Sequence, residues 1–384
     1  MTPAARISAA IAVLDAVHAG ENPERALTNW GRASRFAGSG DRSAVRDLVY
    51  DALRCKRSFA AHGGGETGRG LMLGSLRAAG TDPATLFTGE GHAPAIITAQ
   101  DQGRLPDAEE VLDLPGWLLP DLHASLGADL EPVAKAMRQR APVFLRVNLA
   151  RISVAKAVAA LADEGIEAKP FPLARSALVV TNGARKIQAS HCYSIGLVEL
   201  QDASSQAVVE ALPLKDGLRV LDYCAGGGGK TLAMAALAKM TLFAHDANPG
   251  RMRDLPVRAA RAGAKISLLD QPRAKAPYDL ILADAPCSGS GSWRRDPAGK
   301  WALTPERLTQ IGAIQDQILD DAASLTAEKG VLAYATCSLL RVENTDRVAG
   351  FLARTPGWTR IAEHHFTPLS GGDGFYLALL TRKP

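Results

Sequence analysis

The sequence predicts an α/β protein whose C-terminal half is a doubly wound, mostly parallel sheet. An all-α segment and a small α+β domain precede it. Three observations predict this. Apolar strand-like segments alternate with helical ones at 218–222, 241–246, 266–270, 278–284 and 330–336, the pattern of a parallel sheet. Apolar residues recur at helical spacing through the first 60 residues, as Ile7, Ile11, Leu14 and Val17 and again as Val45, Leu48, Val49, Ala52 and Leu53. At Pro142 the period changes, and Phe144-Leu145-Arg146-Val147-Asn148 alternates like a strand.

The 384 residues suffice for two or three domains, and the boundaries are placed at 1–140, 141–205 and 206–384. In the first, helical stretches continue from Gly70 to Ala79 and from Leu130 to Arg140, with a turn at Asp113-Leu114-Pro115-Gly116 entering a helix. In the second, Ser153 caps a helix over 154–164 and Ala177 to Thr181 forms another strand. In the third, a strand ending at Asp222 runs into a glycine loop and a helix from Thr231 to Lys239. Pro256 kinks or delays the helix after Asp246. Thr359 to Ile361 and Phe375 to Leu380 form an antiparallel edge pair.

Composition narrows the classes. Apolar residues make up 47% of the chain, ordinary for a globular protein, and no apolar run is long enough to span a bilayer. The N-terminal stretch carries Arg6 and Asp15 and reads as a first helix, not a signal peptide. Five cysteines without close spacing predict reduced thiols, a cytoplasmic setting and no metal site. A net charge of +4 permits a polyanionic partner without requiring one.

The loop DYCAGGGGKT decides the ligand class. A phosphate-binding G-x-x-x-x-G-K-S/T loop ending at Gly229-Lys230-Thr231 would need glycine at 224, where Cys224 stands. A dinucleotide G-x-G-x-x-G fingerprint begun at Gly226 puts Thr231 at its last glycine. Both readings fail. Asp222 at the strand mouth repels a pyrophosphate and suits a cationic ligand, and Asp246, after the next strand, is placed to take two ribose hydroxyls. A ribose and an amino group without phosphates describe S-adenosyl-L-methionine.

Two further strand ends carry thiols: Asp284-Ala285-Pro286-Cys287 and Ala335-Thr336-Cys337. Cys55 and Cys192 read as small buried hydrophobes. A thiolate near a methyl donor suits a target that becomes nucleophilic through covalent attack, such as carbon 5 of a pyrimidine. That chemistry needs a thiol, a carboxyl group and a proton acceptor, for which Cys337, Asp284 and Cys287 are the candidates. The residues alone do not order the two thiols. Arg294, Arg295, Lys300 and Arg307, interleaved with Trp293 and Trp301, read as phosphate contacts and stacking for an unpaired RNA strand, with Trp301 equally readable as core.

Together DYCAGGGGKT, DAPCSGSGSWRRDP and YATCSLLRVEN resemble the RNA 5-methylcytosine methyltransferases of the RsmB/NOP2/Sun (Fmu) family. The resemblance implies a class I methyltransferase (Rossmann-like) sheet, an N-terminal NusB-like domain and an RRM-like domain opened by FLRVN. It implies Cys337 as nucleophile and Cys287 as the residue that assists release. The donor would lie along Cys224, Ala225, Gly226, Gly227, Gly228, Gly229 and Lys230, with Asp246 on the ribose, Asp270 near the adenine and Asp284 facing methyl and base. The implied substrate is RNA, foremost 16S ribosomal RNA, handled by a monomer. A tRNA substrate, or a non-catalytic assembly role, stand as alternatives. Gly226-Gly227 replace the family's Ala-Pro, which loosens the loop, and Gln271-Pro272 follow Asp270 where an acidic-glycine turn is common.

Overall fold

The computed structural model describes residues 1–383, which divide into two compact units. The first comprises residues 1–123, 127–140 and 293–302; the second comprises 124–126, 141–292 and 303–383.

The first unit is helical. Its α-helices include Pro3–His18, Pro23–Ala33, Ser39–Arg54, Lys56–Gly63 and Gly68–Ala78. Thr2, Asn22 and Thr67 cap three of them, their side-chain oxygens accepting backbone N–H groups of the first turn. The expected apolar stripes meet in one core, where Ile7, Leu14, Val45, Val49, Leu53 and Met72 are buried together.

The second unit holds two sheets. The smaller is built from β1 (Val143–Val147), β2 (Glu167–Pro170), β3 (Ala177–Asn182) and β4 (Val198–Leu200), in the order β2-β3-β1-β4 with every pair antiparallel. Helix Val154–Asp163, capped by Ser153 as expected, follows β1, and the short helix His191–Ser194 precedes β4. This is a ferredoxin-like βαββαβ arrangement. The sequence pattern showed only β1 and β3. Strand β2 is edge-lying and charged with a terminal proline, and β4 is three residues long, so neither carries a period to read.

The larger sheet contains β5 (Arg219–Asp222), β6 (Thr241–Ala244), β7 (Ile266–Leu268), β8 (Tyr278–Asp284), β9 (Thr326–Thr336), β10 (Trp358–Phe366) and β11 (Phe375–Arg382). Their order is β10-β11-β9-β8-β5-β6-β7; β5 to β9 are parallel and the last two antiparallel. The expected C-terminal pair therefore exists, with β10 as the outer edge and β11 inserted beside β9. Residues alternate between faces. Leu221, Ile281, Leu332 and Tyr334 pack under helices Pro305–Leu325 and Thr345–Arg354, while Val220, Leu280, Leu282 and Ala333 pack under Ala203–Glu210 and Gly229–Ala235.

Helix Ala203–Glu210 serves both sheets. Val208 and Val209 face the large one, and Ala203 and Ala207 pack on Phe144 and Ala177 of the small one. The two sheets thus share one unit where the sequence placed a boundary at 205. Pro256 lies in the first turn of helix Leu255–Ala262, so it delays that helix rather than kinking it. No helix among the described residues is long and apolar enough to cross a membrane.

Candidate active site

The order of the large sheet reverses at β5, which has β6 on one side and β8 on the other. In open α/β sheets such a switch point opens a crevice beyond the strands' carboxyl ends. Asp222 pairs with Ala244 and Leu282, and Asp284 pairs with Ala335, so the ends of β5, β6, β8 and β9 line one edge.

The glycine loop is held from several directions. Gly226 N–H donates to Asp246 Oδ2 at 2.9 Å, and Ala225 N–H donates to His245 O at 2.8 Å. Arg146 Nη1 donates to Gly229 O at 2.7 Å and Arg258 donates to Gly227 O, with Arg258 itself 2.6 Å from Glu199. Arg258 has no local signal in the sequence, and Arg146 reads there only as a basic residue of the strand FLRVN. They brace a loop that its extra glycines would otherwise leave slack. Gly228 has φ +77° and leads into the helix Gly229–Ala235. A Cβ there would lie 2.1 Å from Leu255 Cδ1. Gly228→Ala is therefore expected to cost at least about 1–3 kcal/mol from backbone strain alone, lowering the melting temperature and weakening donor binding in calorimetry. An unchanged melting curve would remove the requirement for glycine.

Asp222 is 1% exposed; Thr231 donates to its Oδ2 at 2.6 Å, and its Oδ1 has no hydrogen-bond partner. Burial pushes its carboxyl up to about 7. An orphaned buried acceptor at the strand mouth fits a ligand that brings an amino group. Asp246, also buried, accepts from Gly226 N–H and from Asn248 N–H at 2.9 Å and lies 3.3 Å from Arg251. Cys224 is half-buried, and burial raises its thiol above the ordinary range, which makes it wall and not nucleophile.

The reacting groups come from β8, β9 and the loop helix. Lys230 Nζ donates to Asp284 Oδ2 at 2.7 Å. Burial alone would lower the Lys230 ammonium's pKa, but the Asp284 carboxylate outweighs it and raises the value. Cys287 Sγ and Cys337 Sγ are 3.3 Å apart, both free thiols. The contact between the two thiols pulls Cys337 below the usual thiol range, and Lys230 adds to this; the same contact and burial push Cys287 well above it. The site thus presents two contacting thiols with opposite acidities, beside a lysine–carboxylate pair. Around them runs a hydroxyl network on Glu343, which the sequence reading quoted within YATCSLLRVEN without assigning a role. The signal was present: an acid five residues past a strand-end serine, whose hydroxyl it accepts.

The chain matches the family model for 16S rRNA methyltransferase RsmB/F over residues 209–380 and that for the RsmF/B-like ferredoxin-like domain over 114–187. The chain belongs to the RsmB/F methyltransferase family. Ribosomal RNA small subunit methyltransferase B of Citrobacter koseri is 33% identical over 285 residues, covering 70% of this chain and 66% of that protein, just under two thirds of its length. The crystal structure of PH0851 superposes over 100% of this chain and 99% of its own at TM-score 0.77 and 20% identity. A methyltransferase homolog protein from Pyrococcus horikoshii covers 71% of this chain and 96% of its own at TM-score 0.63 and 24% identity. At these identities the two structures speak for the fold alone.

Asp222, Asp246, Asp284, Cys224, Cys287, Cys337, Lys230 and the glycines therefore stand in one edge of this RsmB/F sheet. Asp270 is exposed, two residues beyond β7; its neighbour Leu269 accepts from His245 Nδ1 through its carbonyl and donates through its N–H to Ala244 O, each at 2.9 Å.

The basic segment after Cys287 departs from its sequence reading. Lys300 is 2% exposed, and its ammonium donates to Arg54 O at 2.9 Å and Asp113 O at 2.6 Å. Burial brings it down to about 8. Trp301 Nε1 donates to Leu53 O at 2.7 Å, and Arg54 Nε donates to Arg294 O at 2.9 Å. Lys300 and Trp301 thus satisfy the Arg54 and Leu53 carbonyls in the last turn of helix Ser39–Arg54, and Arg54 in turn satisfies the Arg294 carbonyl. Lys300 is thus an internal cross-link of the helical unit and not a solvent-facing phosphate contact. Arg294 is 4% exposed and Trp293 2%, both inside that unit; Arg295 is exposed. At Trp293, Arg294 and Lys300 the spacing that suggested an RNA strip is that of a buried strap, while Arg295 and Arg307 remain exposed.

Proposed function

We propose that this chain transfers a methyl group from S-adenosyl-L-methionine to carbon 5 of a cytosine in RNA, with 16S ribosomal RNA as the substrate. The observation that carries the reading is the pair of contacting thiols at the ends of β8 and β9, in surroundings that make Cys337 the more acidic of the two. When bound, the donor supplies an electrophilic methyl on a sulfonium. Asp246 would hold the ribose hydroxyls, Asp222 the amino group, and the loop from Cys224 to Lys230 would wrap the remainder.

The chain's own groups perform the rest. Cys337 adds through sulfur to carbon 6 of the cytosine as the Lys230 ammonium passes a proton through the Asp284 carboxyl group to N3. Carbon 5 gains nucleophilic character and takes the methyl group, and S-adenosylhomocysteine leaves. With the Cys337 sulfur bonded to carbon, the Cys287 thiol gives its proton to solvent and as thiolate takes the carbon 5 proton; the bond to Cys337 breaks, N3 returns its proton to the Lys230–Asp284 pair, and 5-methylcytosine is released with the Cys337 thiolate restored. The substrate cytosine must stand clear of its stack.

The similarity to a ribosomal RNA small subunit methyltransferase supports a ribosomal substrate. The test is methyl transfer from labelled donor to unmodified small-subunit ribosomal RNA, followed by digestion to nucleosides. Label in 5-methylcytidine is the expected result. Label in another nucleoside overturns the carbon 5 chemistry, and label in tRNA alone overturns the substrate.

A further inference from the structure

One buried carboxylate ties together the two thiol-bearing loops, and the chemistry above makes no use of it. Glu343 is 1% exposed and ends the short turn Arg341–Glu343 before helix Thr345–Arg354. Its Oε1 accepts from the Ser288 backbone N–H at 2.7 Å and from Gln315 Nε2 at 3.2 Å. Its Oε2 accepts from Ser288 Oγ at 2.5 Å and from the Ser338 hydroxyl. Ser288 directly follows Cys287, and Ser338 directly follows Cys337.

The surroundings reinforce the tie. Gln315 Nε2 also donates to Pro286 O at 3.0 Å, the Tyr334 hydroxyl donates to Glu343 O at 2.7 Å, and Gly291 N–H donates to Cys337 O at 2.9 Å. The four donors on the Glu343 carboxylate are all neutral. Burying a carboxylate is costly unless hydrogen bonds compensate it, and an apolar side chain would serve packing alone. What the carboxylate adds is one point that four donors from three separate segments can share.

We propose that Glu343 is a positioning residue that sets the spacing of Cys287 and Cys337 and thereby controls release of the methylated base. This rests on the roles read for the two thiols above. Once the Cys337 sulfur is bonded to the base, Cys287 must reach the carbon 5 proton, and its loop is held there by Ser288 on Glu343. A displacement of about 1 Å in such an arrangement costs on the order of 100-fold in rate.

The experiment compares Glu343→Ala, Glu343→Gln, Ser288→Ala/Ser338→Ala and Cys287→Ala on one RNA. It reads product formation, the covalent adduct on a denaturing gel and donor affinity by calorimetry. Glu343→Ala should lower turnover on the order of 100-fold, accumulate adduct and leave donor affinity within about twofold, the scale of a contact outside the donor cradle. Glu343→Gln keeps an oxygen for the Ser288 N–H, and its amide can donate to hydroxyls that reverse their roles, so it should restore most of the turnover. Adduct with Cys287→Ala but none with Glu343→Ala overturns the proposal while the thiol roles stand. Failure of Glu343→Gln to restore turnover overturns it as well, because charge and not spacing would then matter. Absence of adduct with Cys287→Ala removes the thiol roles and the proposal with them. If Glu343→Ala does not fold, the double serine variant decides: adduct supports the positioning role and its absence ends it.

Discussion

Cys337→Ala is expected to abolish methyl transfer, by roughly 10⁴-fold or more, while donor binding stays near the wild-type value. Cys337 is the one thiol at this edge whose surroundings favour the thiolate: it receives the Cys287 hydrogen bond and sits near the Lys230 ammonium. No neighbour can replace it. Burial and the Cys337 contact hold Cys287 in its protonated form, and burial does the same to Cys224. The glycine loop takes its hydrogen bonds from Asp246, His245, Arg146 and Arg258 and none from Cys337. Radiolabel incorporation and calorimetric donor titration check the two halves separately; retained turnover would end the nucleophile assignment. The sign of the pH dependence follows. The reactive form is deprotonated and its pKa is depressed, so kcat/KM falls as pH drops through a value below the ordinary thiol pKa of about 8.5.

Cys287→Ala is expected to trap the enzyme on its RNA as a slow band on a denaturing gel, with multiple turnover reduced on the order of 10²–10⁴-fold, the range of a lost general base. The variant leaves Cys337 and the Lys230–Asp284 pair untouched, so addition and methyl transfer proceed once. The step that stalls is removal of the carbon 5 proton. It also removes the hydrogen bond that favours the Cys337 thiolate, so the first turnover slows as well. A variant that methylates and releases RNA normally without adduct would remove the release role.

The large sheet was legible because its signals are local. Strand-like segments of five to seven residues between glycine turns and helices declare a parallel sheet, and the ligand edge follows from the strand direction. Asp222, Asp246, Asp284, Cys287 and Cys337 were found by asking which unusual residues end a strand. The four-residue β2 and three-residue β4 were not, since neither is long enough to show a period.

The sequence by itself determined the residue types at the strand ends, the glycine run and the helix caps, because each depends on neighbours within a few positions. Only the tertiary structure decided which distant groups meet. The contact of Cys287 with Cys337 joins residues 50 apart, and the tie of Ser288 to Glu343 spans 55. Lys300 and Arg54, 246 residues apart, show the same dependence with the opposite outcome. A lysine between tryptophans has the same local pattern whether it faces a phosphate or caps a helix. Its fate was settled by packing, which placed the open Arg54 carbonyl of helix Ser39–Arg54 and the Asp113 carbonyl within reach of its buried ammonium.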